Sequence, residues 1–312
     1  YANAGKLESI HSLLVIKDGL LIAEMYYHGA AVDTPARLQS VTKSFTSALA
    51  GIAMEKGLIE SVETPMLDFF PLLGRQVYDP AKEQITLEHL LQMRAGYPWE
   101  ESSGELFDLL YGGFRTRYLV DIPLKREPGT GYDYSNLSTH IAGMIVARAA
   151  GTDLLSFAEE HLFGPLGITA TEWIRDWDGN YNGHADLFMT PRDMARFGQL
   201  YIDDGLFNGE RIVSAEWAAD SLKSYTEDAW YYRIGRNVAN TGYGYCWWSA
   251  DAGDHRYSFA WGHGGQQIAL LEGYNMVVVL TADPLFGDHG GRSWNLEKAN
   301  LNLVGNFFAS LE

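Results

Sequence analysis

Two short apolar runs open the chain, within SLLVIKDGLLIAEMYYH at 12–28, and they flank Lys17-Asp18-Gly19. β-rich runs about an Asp-Gly pair predict a hairpin over that span. The pattern then changes period. Phe45, Leu49, Ile52 and Ala53 recur at helical spacing, which predicts a helix over 42–59 with Gly57 as its C-terminal cap. Residues 86–94 open on a Thr cap and read as a second helix. The stretches 137–151 and 153–163 are helical as well. So is 190–203, where Thr190-Pro191-Arg192-Asp193 places a cap, a proline at the first helical position and an acid in the first turn.

Beyond about residue 240 the apolar runs shorten again. The segments 243–249, 257–263, 266–272 and 275–282 read as successive strands with short turns, and a last helix runs over 295–311. Strands therefore stand at both ends and helices fill the middle. The economical fold is α+β: one antiparallel sheet built from the N- and C-terminal segments, flanked by helices, with a mostly helical lobe inserted. We read one domain over 1–312, with an α/β lobe at about 1–60 and 240–312 and a helical lobe at about 61–239. The cleft between the lobes is the expected active site.

Composition narrows the function. With 40 acidic against 23 basic side chains, the net charge is -17. A nucleic-acid binder needs a basic face, and an anionic membrane surface would repel this chain. The single cysteine, Cys246, excludes an intrachain disulfide and a cysteine-rich metal site, and its aromatic neighbours read as core. No apolar run reaches the ~18–20 residues of a membrane span. The first residue is Tyr1, from which we expect a periplasmic or secreted protein with its signal peptide removed, a cytoplasmic one being the alternative. Nothing in the chain speaks to oligomeric state. Nine Trp and 18 Tyr point to an aromatic-walled cleft, with Tyr97, Trp99, Phe114, Tyr118, Trp173, Trp177 and Trp248 as candidate lining.

Three segments carry candidate chemistry. In Ser40-Val41-Thr42-Lys43, a serine and a lysine three apart share a helix face, at the end where the dipole favours an anion. A lysine held neutral can take the hydroxyl proton; a helix cap is the plainer reading of Ser40. In Tyr132-Asp133-Tyr134-Ser135-Asn136, a shaped loop precedes a helix, and a phenol and an amide can relay protons or hold a carbonyl. The plainer reading there is a turn with an N-cap. Asn136-Leu137-Ser138 also fits a glycosylation sequon, which a cleft position disfavours. In Trp261-Gly262-His263-Gly264-Gly265-Gln266, glycines on an edge strand can offer bare N–H groups to a substrate carbonyl. A bulge with a satisfied histidine is the alternative.

Together and in this order, the three segments resemble the Ser-x-x-Lys, Tyr-x-Asn and Lys/His-x-Gly motifs of the serine β-lactamase and penicillin-binding-protein superfamily. The resemblance is greatest to its class C-type branch. That branch includes carboxylesterases, D-aminopeptidases, D-alanyl-D-alanine carboxypeptidases and nylon-oligomer hydrolases. Leu90-Leu91-Gln92-Met93-Arg94-Ala95-Gly96, Phe163-Gly164-Pro165-Leu166-Gly167-Ile168, the segment from Thr190 to Gly198 and that from Tyr243 to Trp248 also resemble it. The likeness thus covers about 12–310 and implies a β-lactamase/transpeptidase-like fold.

Carried over, it implies Ser40 as the acylated nucleophile and Lys43 as the base, or as the charge that keeps Tyr134 basic. Tyr134 would shuttle the proton. Asn136 would orient the acyl side of the substrate. The backbone N–H groups of Ser40 and Gln266 would form the oxyanion hole, with His263, Gly264 and Gly265 alongside for substrate binding. His263 stands where a lysine is common, so a permanent cation for a substrate carboxylate is missing and β-lactam cleavage moves down. The implied activity is hydrolysis of a small ester or amide. A D-amino-acid peptidase or DD-carboxypeptidase, a class C-like β-lactamase and a non-catalytic sensor are the alternatives.

No cofactor and no metal are expected. The segment 176–187 starts like a calcium loop but has Tyr181 and Leu187 where that loop needs Gly and Glu. There is no Gly-x-Ser-x-Gly elbow and no phosphate or dinucleotide loop.

Overall fold

The computed structural model describes residues 7–74, 79–286 and 291–312. The expected hairpin is there as β1 (Ile10–Lys17) and β2 (Leu20–Tyr26). Asp18 and Gly19 both take positive φ at the turn, as a tight Asp-Gly hairpin requires. Helix α1 (Thr42–Glu55) follows, with Gly57 at φ +70° just past its end. Two further helices matter for the site: α2 (Asn136–Ala150) and α3 (Pro191–Ile202). The run 153–163 is helical, but its second half, Glu159–Phe163, widens into a π turn.

The remaining strands of the main sheet are β3 (Thr226–Glu227), β4 (Ala239–Tyr243), β5 (Trp248–Ala252), β6 (His255–Gly262), β7 (Gln266–Leu271) and β8 (Met276–Ala282). Helix α4 (Gly291–Phe308) closes the described chain and starts four residues before the expected 295. The eight strands form one antiparallel sheet in the order β2-β1-β8-β7-β6-β5-β4-β3. N-terminal β1 pairs with C-terminal β8, with Leu13 opposite Leu280 and Val15 opposite Val278. This is the fold class that the pattern implied.

The expected strand over 243–249 is broken. Tyr243 ends β4, Trp248 begins β5, and the four residues between turn back on themselves. Gly244 N–H donates to Trp247 O at 2.8 Å, and Cys246 sits at φ +61°. That turn is anchored to the helical layer, since Ser44 Oγ donates to Cys246 O at 2.7 Å and Cys246 N–H to Leu91 O at 3.1 Å. Burial of Tyr245, Cys246 and Trp247 mimics a strand's apolar signature while the backbone does something else.

Strands β7 and β8 are buried along their whole length because helices cover both sides. A Cβ on Gly198 of α3 would touch Val277, Ile268 and Leu270. Val278, one residue on and therefore on the opposite face, lines a hollow with Leu303 and Phe307 of α4. Helix α1 lies against α2 and against β6. It is buried from Thr42 to Ala53, so whatever chemistry its first turn carries is fixed on an immobile rod.

Candidate active site

Ser40 lies in a 3-10 turn, Gln39–Val41, that runs directly into α1. It is not the cap of that helix: the cap is Val41, no side chain caps the first turn, and no acid sits there. The positive end of the helix is thus left beside Ser40. Gln39, just before it, takes φ +51°, a left-handed conformation that a non-glycine residue adopts at a cost. Strand β6 ends against this turn. A Cβ on Gly262 would stand 2.3 Å from Leu38 O, so only glycine lets the strand approach.

Lys43 sits on the first turn of α1 and is 1 % exposed. Its Nζ lies 2.7 Å from Ser40 Oγ, 2.7 Å from Asn136 Oδ1 and 2.9 Å from His184 O. Burial pulls its pKa down to about 8, against the opposing pull of Glu101, Cys246, Glu100 and Asp186. Two of its three partners can only accept. A neutral amine has two hydrogens for them and one lone pair, which then meets the Ser40 hydroxyl.

The second segment converges on the same point. The Tyr134 ring centroid is 4.9 Å from Lys43 Nζ, and the phenol faces Ser40 in the same cleft. Burial raises the Tyr134 pKa above its ordinary value; the Ser40 contact lowers it, and Glu101, Cys246 and Glu100 raise it further. Asn136 is fully buried, which removes the sequon from consideration. Its Nδ2 donates to Glu101 Oε1 at 3.0 Å while its Oδ1 holds Lys43, so both ends of the amide are engaged. Asn136 thus braces Lys43 through Oδ1 and points its Nδ2 toward Glu101 of the cleft. The N-cap reading is true of the residue between, since Ser135 Oγ accepts from Ser138 N–H.

The sequence reading overlooked what holds this corner in place. Glu100 is buried and accepts from Ser135 Oγ at 2.8 Å, Asn136 N–H at 2.9 Å and Leu137 N–H at 3.0 Å. A carboxylate at the N-terminus of α2 suits the dipole there, although burial raises its pKa on balance. The adjacent acids of Trp99-Glu100-Glu101 were the only signal available. Behind Lys43, His184 lends its carbonyl, and burial drives its imidazole pKa well below the usual value.

The third segment differs from expectation. Gly264 and Gly265 are not in an edge strand; they form the turn between inner strands β6 and β7. Their N–H groups are not bare. Gly264 N–H donates to Glu297 Oε2 at 3.0 Å and Gly265 N–H to Gly262 O at 3.0 Å. What approaches them is the protein itself: a Cβ would stand 2.6 Å from Pro284 Cα at Gly264 and 2.6 Å from Asn300 Cβ at Gly265. The Gln266 side chain is tied to the backbone of Ala282 through Nε2 and Oε1, which fixes the start of β7.

His263 Nδ1 lies 2.9 Å from Glu297 Oε2, and Glu297 also accepts from Trp261 Nε1 at 2.8 Å. The Glu297 hydrogen bond raises the His263 pKa, with burial opposing. The imidazolium thus comes with its own counter-anion.

Ser40, Tyr134 and His263 share one cleft with Trp99, Glu101, Trp230, Trp248, Trp261 and Glu297. Of the aromatics proposed as lining, Trp99 and Trp248 are there. Tyr97 is core, its hydroxyl on Leu119 O; Phe114 packs on His140, Trp173 is buried, and Trp177 is 68 % exposed on the surface. Trp230 and Trp261 replace them. Cys246 is buried, with its thiol pushed up to about 12, which suits core and not nucleophile. Larger hollows, such as one of about 590 Å³ beside Phe70 and Arg148, include none of the motif residues. The oxygens of Asp176 are taken by Asp178 N–H, Asn180 and His140. Among the described residues no group of three or more His, Cys, Asp or Glu is placed to hold a metal ion, and no single helix is long and apolar enough to cross a membrane.

The Beta-lactamase family model matches residues 11–296. A 6-aminohexanoate-dimer hydrolase of Paenarthrobacter ureafaciens is 27 % identical over 230 residues, covering 70 % of this chain and 58 % of the relative. Monacolin J acid methylbutanoyltransferase of Aspergillus terreus is 33 % identical over 219 residues, covering 62 % of this chain and 51 % of the relative. The chain thus spans little more than half the length of these two relatives. Unliganded simvastatin synthase from Aspergillus terreus superposes with a TM-score of 0.75 at 17 % identity, over 99 % of this chain and 98 % of that one. At that identity the likeness speaks to the fold alone.

Proposed function

Since the chain belongs to the Beta-lactamase family, we propose that it is a serine hydrolase that cleaves a small ester or amide through an acyl-enzyme at Ser40. The observation that carries this is the hydrogen count around Lys43 Nζ: two obligate acceptors and one hydroxyl, in a buried setting that pulls the amine toward its neutral form. Lys43 is the base. Tyr134 is not, because burial keeps its phenol protonated.

In the first half-reaction Ser40 Oγ attacks the carbonyl and its proton passes to Lys43. The oxyanion is received by the N–H groups of Ser40 and Gln266, which Gly262 brings to neighbouring segments; such donors are each worth a few kcal/mol in comparable enzymes. Tyr134, beside Ser40 in the cleft, hands a proton to the leaving group. Water then enters, Lys43 and Tyr134 reverse their roles, and the acid is released. His263 lines the substrate side.

The relatives include one named as a hydrolase and one as an acyltransferase, and an acyl-enzyme has both fates, to water or to an alcohol. The D-peptidase and β-lactamase readings rank lower because Glu297 already occupies the cation that a substrate carboxylate would seek. The test is hydrolysis of p-nitrophenyl butyrate by the wild type and Ser40→Ala, with intact mass measured during turnover. Wild-type turnover, a transient mass gain of one butyryl group and a silent mutant are expected. Turnover that survives Ser40→Ala would remove Ser40 as nucleophile.

A further inference from the structure

The cleft's wall is unusual in charge as well as in composition. Trp230 is in ring contact with Trp99 at 5.9 Å, Trp248 at 5.9 Å and Trp261 at 5.0 Å. Among the described residues lining the cleft there is no Lys or Arg. Lys43 does not reach its surface, being buried behind Tyr134. Of the two carboxylates, Glu297 is matched by His263, whereas Glu101 is exposed and forms no ion pair among the described residues; its one hydrogen bond there is from Asn136 Nδ2. Glu101 nevertheless acts electrostatically on Lys43, Tyr134 and His263, which places its charge centrally in the cleft. The free space is small, about 70 Å³, and suits a compact head group.

An aromatic wall with an unmatched carboxylate attracts cations: the indole faces are negative, and the carboxylate lacks a partner. We propose that this wall is a specificity site for a compact alkylammonium group, so that the preferred substrate is a cationic ester or amide. The substrate half of this proposal rests on the reading of Ser40 as nucleophile; the binding half does not.

Two ligands of the same shape separate charge from size: choline and 3,3-dimethylbutan-1-ol. Their binding is read by the fluorescence of the wall tryptophans themselves. Choline is expected to bind at least about ten-fold more tightly than the neutral alcohol. Glu101→Gln, which keeps an oxygen for Asn136, is expected to lower that ratio several-fold, and Trp230→Leu to weaken choline several-fold as well. Equal affinity for the two ligands, or a preference that Glu101→Gln leaves intact, overturns the proposal. Butyrylcholine and 3,3-dimethylbutyl butyrate extend the comparison to turnover, where the cationic ester is expected to have the higher kcat/KM. If choline is preferred in binding and neither ester turns over, the wall stands and the hydrolase reading falls. If both esters turn over equally and binding shows no preference, the hydrolase stands and the wall falls.

Discussion

The floor and the wall of the cleft are built on opposite plans. The floor is Ser40, Lys43, Tyr134 and Asn136, held by two helix starts and by Glu100. Ser40 Oγ, Lys43 Nζ and both ends of the Asn136 amide are matched at hydrogen-bond distance, and Lys43 and Asn136 are shut off from solvent. The wall gathers Trp99, Trp230, Trp248, Trp261 and the His263–Glu297 pair from segments almost 200 residues apart. There the surface is aromatic, and Glu101 is left without a cationic partner. The floor's order is what proton transfer needs, since a buried lysine loses its base function if any partner is misplaced. The wall's looser matching is what a changing ligand needs.

The hardest blow to this contrast targets the floor. Ser40→Ala and Lys43→Ala should each lower kcat/KM for p-nitrophenyl butyrate by about 10³-fold or more, and the double mutant should be little worse, because the two groups act as one unit. Additive losses would mean that Lys43 works independently of Ser40, and the floor would be no single machine.

This contrast also explains what could be read in the sequence. The floor was visible because helix geometry turns a spacing of three into a contact, and because Tyr134 and Asn136 flank a helix start that Ser135 caps. The hairpin at Asp18-Gly19 and the alternation of β1 with β8 came through for the same local reason. Trp230 and Glu297 were invisible, and Trp261 stood out only as the start of the glycine segment, because only sheet order and the docking of α4 bring the three together. Gly264 and Gly265 misled in a related way. Their N–H groups looked open until Glu297, more than 30 residues on, filled one of them. At 243–249 the buried aromatics imitated a strand, since burial and not extension was the cause of the pattern.

The next largest effect is on pH. With Lys43 at about 8 in the folded enzyme, its neutral form is lost as pH falls. kcat/KM for a neutral ester should therefore approach a ten-fold drop per pH unit below that value, about 50-fold in all from pH 8 to pH 6. The preference for choline over 3,3-dimethylbutan-1-ol should not follow that slope, because Lys43 is buried behind Tyr134 and does not line the wall. A parallel fall in both would tie the wall to the floor and dissolve the distinction.

Smaller again is Glu100→Gln. Its carboxylate does not meet the cleft, so it is a positioning residue: it holds Ser135 and the first N–H groups of α2. An amide keeps the shape, but only one of its two terminal atoms accepts, so either the Asn136 N–H or the Ser135 and Leu137 donors lose their partner and the bonds that remain are weaker. We expect kcat to fall about ten-fold with KM nearly unchanged. The apparent pKa of the rate profile should shift too, because Glu100 is one of the charges acting on Lys43. A loss of thermal stability with an unmoved rate profile would make Glu100 scaffold only.

The smallest effect belongs to the wall. Glu297 raises the pKa of His263, so in the folded state the imidazolium is favoured above the pH at which an unfolded histidine loses its proton. The sign follows from linkage: the pair's contribution to stability is complete below the ordinary histidine pKa and fades as pH rises through the raised one. Glu297→Gln should accordingly cost more stability at pH 5.5 than at pH 8.5. The His263 side chain is 46 % exposed, and solvent screening holds the difference under about 1 kcal/mol. Melting temperatures at the two pH values measure it. Turnover of a neutral ester should change only a few-fold, because Ser40, Lys43 and Tyr134 keep every partner they had. If Glu297→Gln instead abolishes turnover as Lys43→Ala does, the Gly264 N–H that Glu297 holds governs the oxyanion site through the start of β7, and wall and floor are one device.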